Sequence, residues 1–144
     1  MGTLLSEVAF GDLEVGACAP EKRHTLTRTD LVQYAGASGD YNPMHHDEVL
    51  ARKAGLPSVF GHGMFSMGFL AGALTDYVGV ANLTRFAVRF TKQTWPGDVL
   101  VSKIVVSGKR VAGEANLVEL SCELATDAGV VVVSGDATAR LNGS

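Results

Sequence analysis

The sequence contains only two cysteines, Cys18 and Cys122, in 144 residues, and they form no CxxC pair. Two isolated thiols give no disulfide framework, which is typical of a protein from a reducing intracellular compartment. The N-terminal stretch carries acidic side chains and lacks the basic segment and apolar core of a secretion signal. We therefore expect a cytoplasmic protein whose two thiols are structural.

Charged residues are also scarce, at 19% of the chain, and the formal net charge is -3. The lysines and arginines are scattered along the sequence and form no cluster. Binding of nucleic acid requires a concentrated basic face that neutralises phosphates. Nucleic acid is therefore not an expected partner.

Long apolar runs are missing as well. One stretch without charged residues has an apolar part, residues 63–75, that is shorter than the roughly 20 residues needed to cross a bilayer. Apolar residues at every helical position predict instead a helix that other structure covers on all sides. Because Gly63, Gly68 and Gly72 are poor helix formers, we expect these glycines to allow close approach of a neighbouring backbone.

The elements that the sequence does contain predict a mixed fold. Apolar residues make up 47% of the chain, and no repeat or linker interrupts it, which predicts one domain spanning residues 1–144. From Leu83 onward apolar and polar residues alternate with period two, as expected for four strands of an antiparallel meander. Thr29 and Asp47 are suited to cap two short helices. Together these elements predict an α+β fold in which a curved antiparallel sheet wraps one long buried helix, with an inserted segment carrying short helices.

The stretch SGDYNPMHHD, residues 38–47, concentrates polar side chains around an Asn-Pro turn, and three interpretations fit it. Asp, Asn and Pro are common turn formers. The same side chains are potential metal ligands, but zinc favours more His or Cys and calcium a denser set of oxygens, so we expect no metal. Finally, Asp40 and His45 could converge on one water molecule, because Pro43 fixes the turn and keeps Asn42 extended.

The segment YAGASGDYNPMHHDEVLARKAGLPSVFGHGM resembles the signature of the MaoC-like (R)-specific enoyl-thioester hydratases and dehydratases of the hotdog superfamily. Its specific parts are the SGDxNPxHxD element and the HGM that follows about twenty residues later. Within this family, the sequence looks most similar to the catalytic subunit of the mycobacterial 3-hydroxyacyl-carrier-protein dehydratase. The resemblance implies a hotdog fold and reversible hydration of trans-2-enoyl thioesters of coenzyme A or acyl carrier protein, with no further cofactor.

The chemistry of hydration agrees with the residues of the motif. It requires a positioned water, a group that takes its proton, a proton donor for the α-carbon, and stabilisation of the enolate-like oxygen. The resemblance implies that Asp40 and His45 are the catalytic pair and that Asn42 supports them. By similarity, the N–H of Gly63 at the start of the long helix stabilises the thioester oxygen, where unpaired backbone N–H groups favour negative charge.

Three neighbouring residues have less specific expectations. His62 is expected to have a structural role by bonding the loop that carries Asp40. Met64 is expected to be a core residue that can also line the channel for the acyl chain. His46 is expected to be a bystander.

The resemblance also implies association with a second subunit, either as a homodimer or as a heterodimer with another hotdog chain. Two other functions stay open on the same fold. One is hydrolysis of acyl thioesters, against which the polar loop argues. The other is a non-catalytic subunit, for which we would expect loss of Asp40 or His45, and both residues are present.

Overall fold

A computed structural model describes residues 8–143. Residues 1–7, which belong to the stretch inspected for a secretion signal, lie outside the described residues. The helices and strands are β1 (Arg23–Thr25), α1 (Arg28–Ser38), α2 (Glu48–Lys53), α3 (Gly63–Val78), β2 (Leu83–Phe90), β3 (Val99–Ala112), β4 (Ala115–Thr126) and β5 (Val131–Leu141). Among these described elements, no helix has the length and apolar character needed to cross a membrane.

The strands form one antiparallel sheet in the order β1-β3-β4-β5-β2. The predicted hairpins β3-β4 and β4-β5 are confirmed, but β2 pairs with β5 and not with β3, so the meander prediction is wrong for this strand. The turn at Gly97 does not close a β2-β3 hairpin, because its N–H donates to the carbonyl of Leu26 while the N–H of Leu26 donates to Asp98. Period-two alternation identifies a strand but does not specify its neighbour.

The long helix α3 lies against the sheet with one face. Its buried apolar residues, Leu70, Ala73, Leu74 and Val78, belong to the same apolar cluster as the inward side chains of β3, β4 and β5. The opposite face is open within the described chain, and no atom lies within 4 Å of a Cβ built on Gly68 or Gly72. The expected close backbone approach at these two glycines is therefore wrong for the described residues, because both lie on the side of α3 that faces away from the sheet.

The two cysteines lie in different environments. Cys122 is a core residue on β4, and its burial raises the pKa of the thiol to about 11. Cys18 is exposed. A structural role is therefore supported for Cys122 only.

The segment between β1 and α3 carries the predicted short helices. The first helix is capped by Thr27 and not by Thr29, because Thr27 and Asp30 form a reciprocal capping box in which each side chain accepts the other's backbone N–H. Asp47 caps α2 as predicted, by accepting the N–H of Leu50. A second small core holds this segment together, and it consists of Leu26, Leu31, Ala51 and Val59.

Candidate active site

The loop after α1 is shaped by hydrogen bonds between its own side chains and backbone. Helix α1 ends at Ser38 and is capped by Gly39, whose φ of 76° lies in the left-handed region that glycine adopts without strain. The N–H of Asn42 donates to Oδ1 of Asp40 at 3.2 Å, and Oδ1 of Asn42 accepts the N–H of Met44 at 3.1 Å. Asn42 thereby caps the short 3-10 turn Pro43–His45. The loop is a defined turn that presents Asp40 and His45 to the same side.

His45 is buried, and its ring orientation is fixed by a backbone carbonyl. Its Nδ1 lies 2.7 Å from the carbonyl oxygen of Phe60. Because a carbonyl can only accept, Nδ1 carries the proton, and in the neutral ring Nε2 holds the free lone pair. The ring of Phe60 packs edge-on against the imidazole at 4.9 Å between centroids. His45 therefore presents a proton-accepting nitrogen in a set direction.

That nitrogen faces the carboxylate of Asp40 across a gap. Nε2 of His45 and Oδ2 of Asp40 are 3.8 Å apart, which is too long for a direct hydrogen bond. A water about 2.8 Å from each atom would complete a triangle with this distance as its base. The side chain of Asp40 is half exposed, whereas that of His45 is 8% exposed. The arrangement can hold one water between a buried base and an accessible carboxylate.

His62 lies directly behind this pair. Its ring stacks on that of His45 at 3.8 Å between centroids, and its Nε2–H donates to the backbone carbonyl of Asp40 at 3.2 Å. The predicted hydrogen bond to the loop that carries Asp40 is therefore present. Burial lowers the pKa of His62 below its usual value of 6.5 and outweighs the hydrogen bond to the carbonyl of Asp40, which raises it. His62 is thus a neutral, positioning part of the site.

Gly63 is the first residue of α3, and the preceding His62 provides no side-chain cap among the described residues. The first N–H groups of a helix have no intrahelical acceptor, so they are available to a ligand oxygen. Gly63 also lines a cleft of about 280 Å³ together with Phe60, Ser66, Phe90, Thr94 and Val133. The cleft therefore begins where the backbone can bind negative charge.

A metal ion is the alternative use of these side chains. One ligand atom each from Asp40, His45 and His62 lies within 4.8 Å of the others. However, Nε2 of His62 is engaged by the carbonyl of Asp40, and the carboxylate of Asp40 is half exposed. Nε2 of His45 and the buried Nδ1 of His62, which has no hydrogen-bond partner among the described residues, are the histidine nitrogens left free, and the expectation of a site without metal stays a prediction.

The remaining predicted residues lie at the edge of the site. Met64, next to Gly63, is 55% exposed, so the expectation that it is a core residue is wrong. His46 is exposed, and its Nε2 bonds the carbonyl of Tyr41 at 3.1 Å. Two contributors were not predicted: Phe60, which orients His45 through its carbonyl, and Tyr34, whose ring packs on His62 at 4.7 Å. Tyr34 lies on the turn of α1 before the motif, but no sequence signal identifies a functional carbonyl.

Known proteins have sequences similar to this chain. The sequence is 39% identical over 82 residues to 3-hydroxyacyl-thioester dehydratase Y of Mycobacterium tuberculosis, which covers 54% of this chain and 28% of that protein. It is 29% identical over 131 residues to the (R)-specific enoyl-CoA hydratase of Rhodospirillum rubrum, which covers 90% of this chain and 88% of that protein. The chain thus spans less than a third of the first relative and most of the second.

The fold has a solved counterpart in the unliganded R-hydratase PhaJ1 of Pseudomonas aeruginosa. The two chains superpose with a TM-score of 0.86 at 27% sequence identity, over 96% of this chain and 88% of that one. This similarity confirms the predicted hotdog fold. The family description MaoC like domain matches residues 16–128, a range that contains the Asp40 loop, His62 and Gly63, and the chain belongs to this family.

Proposed function

We propose that the protein is a hydro-lyase that interconverts trans-2-enoyl thioesters and (3R)-hydroxyacyl thioesters. The observation that carries the proposal is the 3.8 Å gap between Nε2 of His45 and the carboxylate of Asp40, next to the uncapped start of α3. The (R)-hydratases and dehydratases among its relatives support the same reaction.

In the hydration direction, a water held between Asp40 and His45 attacks the β-carbon of the enoyl group. The pair accepts one proton from the water as the new C–O bond forms, and the double-bond electrons move toward the thioester oxygen. The pair then delivers a proton to the α-carbon, so the net change is addition of one water. Because the two groups act on the same water, the proton transfers are assigned to the pair and not to either side chain alone.

The thioester oxygen is placed at the start of α3 in this mechanism. The N–H of Gly63 donates to it and stabilises the enolate charge as it develops, helped by the positive end of the helix dipole. A side chain at this position would meet the ring of Phe90, since a Cβ built on Gly63 lies 3.2 Å from that ring. Glycine therefore lets the substrate approach the backbone.

The proposal extends to the form of the substrate and the assembly. The acyl group is carried by coenzyme A or acyl carrier protein, and the protein works as a homodimer or with another hotdog subunit. The face of α3 that no described residue covers supports association. A helix with apolar side chains on every side is normally covered by other structure. No cofactor is part of this mechanism.

One experiment separates this function from its alternatives. Purified protein is mixed with crotonyl coenzyme A, and the enoyl absorbance is followed alongside free thiol. Loss of enoyl absorbance without thiol release is the expected result, and added metal or chelator should leave the rate unchanged. Thiol release would identify a thioesterase instead. Inactivity with both coenzyme A and carrier-protein thioesters, alone and with a candidate second subunit, would favour the non-catalytic subunit.

A further inference from the structure

The cleft that begins at Gly63 runs between the first turns of α3 and the end of the sheet. Its walls include Phe90 on β2 and the buried Val132 and Val133 on β5. An acyl chain is apolar, so such walls suit it. The lining also contains polar residues: Thr91, Lys92, Gln93 and Thr94 follow β2, and Ser66 lies on α3.

Ser66 is 2% exposed, yet its Oγ has no hydrogen-bond partner among the described residues. A buried serine in a helix usually donates to the carbonyl four residues earlier, which here belongs to His62. That carbonyl instead accepts the backbone N–H groups of Phe65 at 3.2 Å and Ser66 at 3.5 Å. An unpaired buried hydroxyl lowers stability, so its presence in the wall of a cleft indicates use by a ligand.

The position of Ser66 on α3 limits which ligand atom it can contact. Gly63 and Ser66 are neighbours at i and i+3 on the helix surface, separated by most of one turn of roughly 5.4 Å. A thioester whose oxygen is bound by the N–H of Gly63 places its reacting carbons toward Asp40 and His45. Ser66, most of one turn farther along α3 in the wall of the cleft, would then face atoms a few bonds farther along the acyl chain.

We infer that Ser66 is a specificity-determining residue that selects acyl groups carrying a hydroxyl or carbonyl group a few bonds beyond the reacting double bond. The inference rests on the proposed function and deepens it by naming the substrate class. A polar acyl group would satisfy the Oγ, whereas an unsubstituted chain would leave it unpaired. Sites built to bond a substrate hydroxyl reject analogues that lack it far more strongly than apolar pockets discriminate between hydrocarbons.

The test compares two coenzyme A thioesters that differ by one hydroxyl, 5-hydroxypent-2-enoyl and pent-2-enoyl. The wild-type protein should hydrate the hydroxylated thioester with a kcat/KM at least about tenfold higher. In Ser66→Ala this ratio should fall to near one, because only the hydroxylated substrate loses a partner. Its melting temperature should be equal to or above that of the wild type, since the change removes an unpaired polar atom.

Thr75→Ala is the matched control, because it removes a hydroxyl from the same helix that donates to the carbonyl of Gly72 and does not line the cleft. This variant should keep the wild-type ratio. Equal kcat/KM values for the two thioesters in the wild type would overturn the inference, as would an equal loss with both in Ser66→Ala. Absence of hydration with every enoyl thioester, carried by coenzyme A or by acyl carrier protein and with or without a candidate second subunit, would overturn the proposed function and the inference together.

Discussion

The protein contains two histidine–aspartate pairs of opposite design. His24 and Asp30 are joined by a direct hydrogen bond of 2.8 Å. His45 and Asp40 are separated by 3.8 Å, and each is held by other groups: the ring of His45 by the carbonyl of Phe60, and Asp40 through its own loop. The two side chains of the first pair bond each other directly, whereas those of the second pair leave a gap that a water can enter.

The surroundings explain the difference. Asp30 also accepts the N–H of Thr27 in the capping box, and His24 packs near the rings of Phe65 and Phe69. Burial opposes ionisation of Asp30, but the hydrogen bonds from Thr27 and His24 outweigh it and lower the pKa of the carboxyl. A pair whose hydrogen-bonding capacity is used internally stabilises the fold. A pair whose facing atoms lack a direct bond is available for chemistry.

The largest expected difference between the two pairs comes from replacing the aspartate of each pair by asparagine. Asp40→Asn should lower kcat for hydration by at least about 100-fold, because the pair loses a proton-accepting group, while the melting temperature stays near that of the wild type. Asp30→Asn should keep kcat and lower the melting temperature. Enoyl absorbance and thermal unfolding measure the two effects, and near-normal turnover in Asp40→Asn would contradict the proposed mechanism.

The separated pair, His45 and Asp40, also depends on the backbone that orients it. A Cβ built on Gly61 overlaps with Oγ1 of Thr94, so Gly61→Ala must displace Thr94 or the segment that joins Phe60 to α3. We expect a loss of about 2 kcal/mol in the free energy of unfolding and lower kcat. Gly36→Ala is the control, because open space surrounds that position within the described chain. Equal stability of the two variants would show that this contact does not hold the site.

The directly bonded pair, His24 and Asp30, should contribute to stability and not to catalysis. His24→Gln removes the hydrogen bond to Asp30 and should cost about 1 kcal/mol in the free energy of unfolding, with kcat unchanged. Urea denaturation measures the first quantity and the enoyl assay the second. A change in kcat without a change in stability would mean that the two pairs are coupled through the aromatic rings between them.

The smallest expected effect is on the pH dependence of the free energy of unfolding. His62 has a lowered pKa in the folded state, so below about pH 6.5 the unfolded chain binds a proton that the folded protein does not. Its contribution makes stability fall as pH decreases from 6.5 toward the folded-state pKa. His62→Gln should reduce this slope in denaturation midpoints measured between pH 7 and 5. The pKa of Asp30 is also lowered, so Asp30 causes a separate loss of stability only below about pH 3.8, the usual pKa of its carboxyl. An unchanged slope in His62→Gln would exclude His62 as the source.

The sequence predicted the elements better than their contacts. The apolar stretch and the period-two alternation predicted α3 and the strands, because periodicity reflects local geometry. The pairing of β2 with β5 depends on distant residues and was not predictable. The spacing of Thr27 and Asp30 fits a capping box and identifies Thr27 as the cap, whereas the expectation for Thr29 rests on residue type alone. The motif placed Asp40 and His45 together, whereas the carbonyl of Phe60 and the unpaired Oγ of Ser66 require coordinates.

The residues of the proposed chemistry come from one short part of the chain, residues 38–63, and this part is held by the second small core, which also includes Leu26 and Leu31. Its defining contacts run from the Asp40 loop to Phe60 and His62, apart from the main cluster between α3 and the sheet. Segments with their own contacts often open as separate cooperative units in native-state hydrogen exchange. The amides of this segment can therefore report on opening of the site independently of global unfolding, and a ligand bound there would slow their exchange first.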